Sequence, residues 1–126
     1  MKFYKCPICG NITEMVVDHG VPIMCCGTKM ELMVAGSTDA ATEKHVPVAK
    51  VENGVLYVSV GSVEHPSTQE HLIDFIAVKA GTNFFRKSLK AGDKPEAYFH
   101  LNGYTGPVEV YEYCNLHGLW KSELTA

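Results

Sequence analysis

Residues 46–60, VPVAKVENGVLYVSV, predict a β-hairpin and with it the fold class of the larger part of the chain. Two apolar runs rich in β-branched residues, 46–51 and 55–60, stand on either side of Asn53-Gly54. An Asn-Gly pair between two such runs is a strong signal for a tight hairpin turn. We therefore expect two antiparallel strands joined at Asn53-Gly54.

The sequence beyond this hairpin continues the same pattern of short apolar runs and turns. Further strand candidates are residues 71–79 (HLIDFIAVK), 84–89 (FFRKSL), 96–101 (EAYFHL) and 107–113 (PVEVYEY). The segments between them, 80–83, 90–95 and 102–106, are rich in Gly, Asn, Asp and Pro, which favour turns. No long stretch keeps a helical period. Strands at this spacing predict a mainly β fold, an immunoglobulin-like antiparallel sandwich.

Length and composition narrow the function classes. A hydrophobic content of 46% in 126 residues is ample for a buried core. The net charge is −3 and the basic residues are scattered, so we expect no nucleic-acid partner. No apolar run approaches the roughly 18 residues of a membrane span, and no export signal is found, so we expect a cytoplasmic protein without a membrane partner.

The five cysteines need an explanation other than disulfides. Their number is odd, and a cytoplasmic setting favours metal binding or redox chemistry. Four of them lie in residues 1–36. Domains shorter than roughly 40 residues usually need a metal ion, disulfides or another cross-link to fold. We therefore expect a small metal-binding domain at 1–36 and a second domain at 37–126.

The first candidate site is a set of four thiolates: Cys6, Cys9, Cys25 and Cys26. Gly10 and Gly27 follow the two pairs and allow the tight turns that such metal-binding loops need. Four thiolates suit iron or zinc, and the spacing does not choose between them. Adjacent cysteines should distort the tetrahedron, which would suit iron, and a strained Cys25–Cys26 disulfide is the alternative. Metal binding of order 10 kcal/mol would fold so small a piece.

The second candidate site is a set of five ligand-type residues in the larger domain: His45, His65, His71, Cys114 and His117. Each is expected at a strand end or in a loop, where a sandwich gathers its functional side chains. A single histidine is more often a surface or core residue than a ligand, and we interpret His19 and His100 in that way. For the other five, spacing alone leaves both interpretations open.

With these two candidate sites, the sequence resembles the desulfoferrodoxin family, the two-iron form of superoxide reductase, over nearly its full length. The matching segments are CPICGN (6–11), CCGTKM (25–30), GSTDAATEKHVPV (36–48), VGSVEHPSTQEHLI (60–73) and EYCNLHGLWK (112–121). The resemblance implies a desulforedoxin-like N-terminal domain with one iron held by the four cysteines. It also implies a catalytic iron with four equatorial histidines, the axial ligand Cys114 and an open sixth position.

The same resemblance implies roles for two charged residues beside the first histidine. Superoxide would be reduced by one electron and leave as hydrogen peroxide after two protonations. Lys44 would attract superoxide and order a proton-donating water, and Glu43 would occupy the sixth position in the ferric resting state. From spacing alone, Glu43 and Lys44 are a solvated charge pair. The backbone amides of residues 115–117 are candidate hydrogen-bond donors to the Cys114 sulfur, and Trp120 is expected in the core.

Electrons must reach such a site from outside the chain. The sequence has no dinucleotide-binding or Gly-rich phosphate motif, so we expect a donor protein. The resemblance implies a rubredoxin as donor and a homodimer as the assembly. Three alternative functions stay open: a non-catalytic electron carrier, a superoxide dismutase, and a binding module that is stabilised by structural zinc.

Overall fold

The structure is a computed structural model that describes residues 1–38 and 40–126. Asp39, within the segment 36–48 that resembles the family, lies outside the described residues. The chain divides into two compact units, Met1–Val34 and Ala35–Ala126, which are described separately here. Among the described residues, no helix is both long and apolar enough to cross a bilayer.

The first unit is built from five very short strands. They are β1 (Phe3–Lys5), β2 (Ile12–Glu14), β3 (Met24–Cys25), β4 (Thr28–Lys29) and β5 (Glu31–Leu32). Three of them form a sheet in the order β2-β1-β5, and β3 and β4 pair as a separate antiparallel hairpin. The buried apolar side chains of this unit are Phe3, Cys6 and Met30. So small an apolar core agrees with the expectation that a metal is needed to order the unit.

The described residues of the second unit form one short helix and seven strands. These are α1 (Thr42–His45), β6 (Pro47–Glu52), β7 (Val55–Val60), β8 (Ile73–Ala80), β9 (Asn83–Ser88), β10 (Glu96–His100), β11 (Pro107–Cys114) and β12 (Gly118–Thr125). They form two antiparallel sheets, ordered β10-β7-β6 and β12-β11-β8-β9. The expectation of a mainly β fold with an antiparallel sandwich is confirmed.

The hairpin predicted from residues 46–60 is present as β6 and β7. Glu52 pairs with Val55, so the loop consists of the two residues Asn53 and Gly54. Their φ angles are 51° and 76°, the left-handed values that a two-residue hairpin turn of this kind requires. Asn and Gly are the residues that adopt this conformation at the least steric cost.

The core lies between the two sheets. Alternate residues of β7, Leu56, Val58 and Val60, are buried, as expected for a strand with one face in the core and one in solvent. The inner strands of the larger sheet contribute Ile76 and Val78 from β8. Because Cys114 ends β11 and His71 lies two residues before β8, the core fixes the backbone from which the second candidate site is built.

Two elements of the second unit were not predicted from the sequence. β12 carries Lys, Ser and Glu among its apolar residues, so its alternation is weak, and it follows β11 through a turn that was interpreted only as a ligand motif. α1 is four residues long, too short to show a helical period. The expectation that every candidate ligand lies at a strand end or in a loop was therefore wrong for His45, which ends α1.

Candidate metal centres

The four N-terminal cysteines converge on one point. The sulfur atoms of Cys6, Cys9, Cys25 and Cys26 all lie within 4.8 Å of one another. Cys9 Sγ is 3.6 Å from Cys25 Sγ, which is 4.0 Å from Cys26 Sγ. Four sulfurs bound at about 2.3 Å to one ion at the corners of a tetrahedron would lie about 3.8 Å apart. The observed separations fit such a site, and no ligand has to move far to bind.

The first cysteine loop surrounds its sulfurs with amides. The backbone N–H groups of Ile8 and Cys9 donate to Cys6 Sγ, and that of Asn11 donates to Cys9 Sγ, at 3.4 to 3.5 Å. Hydrogen bonding from Cys9, first among several donors, lowers the pKa of Cys6 to about 6. Hydrogen bonding to Cys6 and Cys9 instead raises the pKa of Cys25 to about 12. The lowered pKa favours the thiolate form of Cys6, which is the form that binds a metal.

The adjacent pair Cys25-Cys26 is accommodated by an unusual backbone. Cys26 has φ 54°, in the left-handed region that L-residues rarely adopt, and Gly27 follows with φ 73°. This turn brings both sulfurs toward the same point. Their separation of 4.0 Å is about twice a disulfide bond length, and both cysteines are free. The alternative of a disulfide between neighbours is therefore excluded in this structure.

The second set of ligands comes from four places along the larger unit. His45 ends α1, and His65 lies in the loop that follows β7. His71 lies two residues before β8. Cys114 ends β11, where the pairing with β8 changes register, and His117 stands in the turn before β12. Two of the five residues therefore end an element, and the other three lie in the loops and turns that the buried strands hold in place.

The four imidazoles form a square. Ring centroids of successive neighbours are 4.6 to 5.0 Å apart around the order His45, His65, His71, His117, with planes inclined by 75° to 85°. Across the square, the His45 and His71 centroids are 6.5 Å apart with planes inclined by only 29°. Neighbouring rings are edge-on, and the opposite pair His45 and His71 is close to parallel. Three of these imidazoles and Cys114 have ligand atoms that all lie within 4.8 Å of one another, and His117 stands beside that group.

The distances between ring nitrogens support this interpretation. His45 Nε2 is 3.2 Å from His65 Nε2 and 3.1 Å from His117 Nδ1. Two nitrogens bound at right angles to one ion at about 2.1 Å would lie about 3.0 Å apart. His71 Nε2 is buried and has no hydrogen-bond partner among the described residues, as expected for a nitrogen that binds a metal. Four imidazoles and a thiolate exceed the four ligands usual for zinc and suit iron.

Backbone carbonyls fix the tautomers of two of the imidazoles. His45 Nδ1 donates to Ala41 O, and His65 Nδ1 donates to Pro66 O, each at 2.7 Å. With the proton on Nδ1, the Nε2 atom of each ring is free to bind a metal. His117 differs from these two, because the atom near the centre is its Nδ1. The sequence contains no signal that would have predicted which nitrogen of His117 faces the site.

The fifth donor lies beside the square. Cys114 is fully buried, and its Sγ is 3.8 Å from His117 Nδ1. The ligand atoms of His45, His65, His71 and Cys114 all lie within 4.8 Å of one another. Burial raises the pKa of the Cys114 thiol, while hydrogen bonds from the backbone amides of Leu116 and His117 oppose the shift. The Asn115 amide donates to Leu72 O instead, so two of the three proposed amides face the sulfur.

Burial favours the neutral form of three of the imidazoles. It lowers the pKa of His45 and His71, and it lowers that of His65 to about 4. Because a metal binds the neutral ring, these histidines are available as ligands at neutral pH without the loss of a proton.

Trp120 has a role at this site that the sequence did not predict. It is buried, as expected, with 5% of its surface exposed. Its ring stacks on His45 with centroids 5.1 Å apart, and its Nε1–H donates to His117 O at 3.1 Å. Trp120 therefore contacts two of the four histidine residues. The only signal in the sequence was its position three residues after His117.

The remaining sequence candidates lie outside the donor clusters among the described residues. Glu43 and Lys44 are exposed on α1 beside the buried His45. Burial and the neighbouring imidazoles are the larger causes that lower the pKa of His45 and His71. The positive charge of Lys44 lowers it further, so this charge acts on the site. His19 and His100 are exposed and belong to neither cluster, in agreement with their interpretation as ordinary surface residues.

Comparisons with known proteins agree with the fold and with both clusters. Residues 37–123 match the Desulfoferrodoxin family model, and residues 1–33 match the model of the desulfoferrodoxin N-terminal domain. A desulfoferrodoxin of Syntrophotalea carbinolica is 48% identical over 123 residues, which cover 98% of this chain and 96% of the relative.

Two solved structures resemble the chain. The superoxide reductase from Treponema pallidum superposes with a TM-score of 0.76 at 32% identity, over 96% of this chain and 97% of its own. The superoxide reductase (1Fe-SOR) from Giardia intestinalis gives a TM-score of 0.57 at 30% identity, over 67% of this chain and 99% of its own. Both donor sets fit the two irons predicted from the sequence. With sequence matches that extend over nearly its whole length, the chain belongs to the desulfoferrodoxin family.

Proposed function

We propose that this protein is a superoxide reductase, which adds one electron and two protons to superoxide and releases hydrogen peroxide. The observation that carries the proposal is the square of four imidazoles with the buried Cys114 sulfur beside it. The superoxide reductases among the structural neighbours support it. The reaction balances as one superoxide, one electron and two protons giving one hydrogen peroxide.

The residues that would hold the catalytic iron are His45, His65, His71, His117 and Cys114. Iron held by these residues would supply the one electron and could bind a small anion as a further ligand. The carbonyls of Ala41 and Pro66 keep Nε2 of their histidines free. The amides of Leu116 and His117 hydrogen bond to the Cys114 sulfur and set how much electron density the thiolate donates.

Two exposed residues on α1 serve the substrate in this proposal. The Lys44 ammonium attracts superoxide, because a positive charge beside the site raises the local concentration of a small anion. It also orders a water that donates a proton to the product. The Glu43 carboxylate occupies the open position when the centre is oxidised. What supports both roles is the placement of these two exposed residues next to His45 on α1.

The N-terminal unit has a separate role. Cys6, Cys9, Cys25 and Cys26 hold a second iron, which orders residues 1–36 around their small apolar core, and residues 37–126 form the catalytic domain. Electrons come from an external donor protein such as rubredoxin. The protein acts in the cytoplasm as a homodimer, with the N-terminal domain contributing to the contact. The many exposed apolar side chains of that unit, among them Val16, Val17 and Val21, support its participation in an interface.

The first experiment counts products. The protein is reduced under anaerobic conditions, a known amount of superoxide is added, and hydrogen peroxide and oxygen are measured. One peroxide per superoxide without oxygen establishes the reductase. Roughly half as much peroxide, accompanied by oxygen, would mean dismutation. If there is no reaction above the blank, the remaining functions are an electron carrier or a binding module with a structural metal. The roles given to Glu43 and Lys44 would then be withdrawn.

A further inference from the structure

Gly61 lies unusually close to the helix that carries the charged residues of the site. It directly follows β7 and has φ +77°. A Cβ atom built on it would lie 2.5 Å from Glu43 O, 2.6 Å from Lys44 C and 2.7 Å from Lys44 Cα. Real Cβ atoms essentially never come so near to backbone atoms. Only glycine therefore permits this approach of residue 61 to α1.

Hydrogen bonds hold the two segments together at the same place. The Gly61 N–H donates to Val46 O, and the Val63 N–H donates to Glu43 O, each at 3.0 Å. The Ser62 hydroxyl also donates to Glu43 O, at 3.4 Å. Residues 61–63 thus bind the backbone before Lys44, at Glu43 in α1, and after it, at Val46, which caps α1.

The helix itself has little to hold it in place. α1 has four residues, and its N-cap residue Ala41 makes no side-chain hydrogen bond to it. A single helical turn is unstable by itself, because one or two hydrogen bonds do not offset the ordering of its residues. His45 is anchored by burial, but Glu43 and Lys44 are exposed. Their backbone position therefore depends on residues 61–63.

We propose that Gly61 is a positioning residue: by lacking a side chain it lets residues 61–63 fix the backbone of Glu43 and Lys44, and so sets where the Lys44 ammonium stands relative to the four imidazoles. The inference rests on the proposed function, since it assigns to this ammonium the capture of superoxide. Gly61 itself touches neither substrate nor ligand atoms and acts through α1.

The chain offers a matched control for the test. Gly61→Ala introduces a Cβ at φ +77°, into the backbone of Glu43 and Lys44. Gly54→Ala introduces the same atom at φ +76°, in the hairpin turn, with nothing within 4 Å. Both variants carry the same strain from a non-glycine residue in the left-handed region. They differ in the collision with α1.

The first readout does not require turnover. Hydrogen exchange is followed by mass spectrometry on the full-length protein, in peptides that contain residues 42–48 and 61–64. We expect protection of both segments in the wild type and faster exchange of both in Gly61→Ala. Gly54→Ala should leave these peptides unchanged. Unprotected amides at 61–64 in the wild type would overturn the proposal even if Gly61→Ala could not be obtained as a folded protein.

The second readout is the association rate of superoxide as a function of salt. Gly61→Ala should slow association about three- to tenfold and flatten its salt dependence toward that of Lys44→Ala. The double variant should be no slower than Lys44→Ala alone, because the two changes remove the same effect. A wild-type salt slope in Gly61→Ala, or additive losses in the double variant, would overturn the proposal. A wild type that does not consume superoxide would reject the enzyme function and, with it, the role given to Gly61 in superoxide capture. Protection of both segments from hydrogen exchange would then establish only that residues 61–63 contact α1.

Discussion

The Trp120 indole lies almost parallel to the His45 imidazole, with ring centroids 5.1 Å apart and planes inclined by 25°. The same indole donates its Nε1–H to His117 O at 3.1 Å. Stacking restrains the plane of one imidazole, and the hydrogen bond restrains the backbone that carries its neighbour in the square. Trp120 therefore limits the motion of two donors at once.

Trp120→Phe tests this restraint. The smaller ring keeps an aromatic face toward His45 but removes the hydrogen bond to His117 O. Because loss of a group that orients metal ligands typically costs 10- to 100-fold in affinity, we expect about tenfold weaker iron binding at the histidine centre. The measurement is competition with a chelator. Phe99→Leu, a change in the sandwich core away from the site, should leave this affinity unchanged. An equal loss in both variants would show only general destabilisation.

Cys9→Ser tests whether the four-cysteine centre takes part in turnover. The variant removes one of four sulfurs that surround a common point, so we expect the iron content to fall from two to one per chain. The N-terminal unit, with its small apolar core, should become more sensitive to protease. The rate at which reduced protein consumes superoxide should not change. A parallel loss of rate would mean that the first iron supplies electrons to the second.

The sequence contained most of the information needed for the fold because its strongest signals are local. Asn53-Gly54 specifies its turn through its own φ preferences, and the alternation in β7 specifies its buried face. The weak alternation of β12 gave no such signal, although its pairing with β11 brings Trp120 to the site. That pairing depends on contacts between strands, which cannot be predicted from the pattern of a short stretch of sequence.

The ligands of the site were predicted by type and by family resemblance, but their geometry was not. That His117 presents Nδ1 and His45 presents Nε2 depends on the backbone that carries each ring. The contact of Gly61 with α1 joins residues about 17 positions apart, and it exists only in the folded chain. Such orienting contacts arise from the packing of separate segments, which is why the sequence did not reveal them.

Lys44→Ala tests the electrostatic role of the exposed lysine on α1. Removing one positive charge beside the histidines should slow superoxide association about three- to tenfold and reduce its dependence on ionic strength. Stopped-flow measurements over a range of salt concentrations give both values. Lys87→Ala, which removes an exposed charge from β9, changes the net charge equally and should leave the rate as in the wild type. If both variants behave alike, net charge rather than position is responsible.

Glu43→Ala tests the carboxylate beside that lysine. We expect the rate of superoxide reduction to be nearly unchanged and the absorption spectrum of the oxidised protein to shift, because the carboxylate is proposed to bind only in that state. Glu64→Ala, a change at an exposed carboxylate in the loop before His65, should leave the spectrum unaltered. An unshifted spectrum in Glu43→Ala would remove this residue from the oxidised centre.

Leu116→Pro tests the amides that face the Cys114 sulfur. Proline has no backbone N–H, so the variant deletes one of the two hydrogen bonds from the Leu116 and His117 amides. A thiolate with one donor fewer gives more electron density to its metal, so the thiolate-to-iron absorption of the oxidised protein should shift and the reduction potential should fall. Leu116→Ala is the matched control, since the Leu116 side chain is 59% exposed and alanine keeps the amide. A shift in the proline variant alone, with iron content preserved, assigns the effect to the hydrogen bond. Equal spectra in the two variants would mean that these amides do not tune the thiolate.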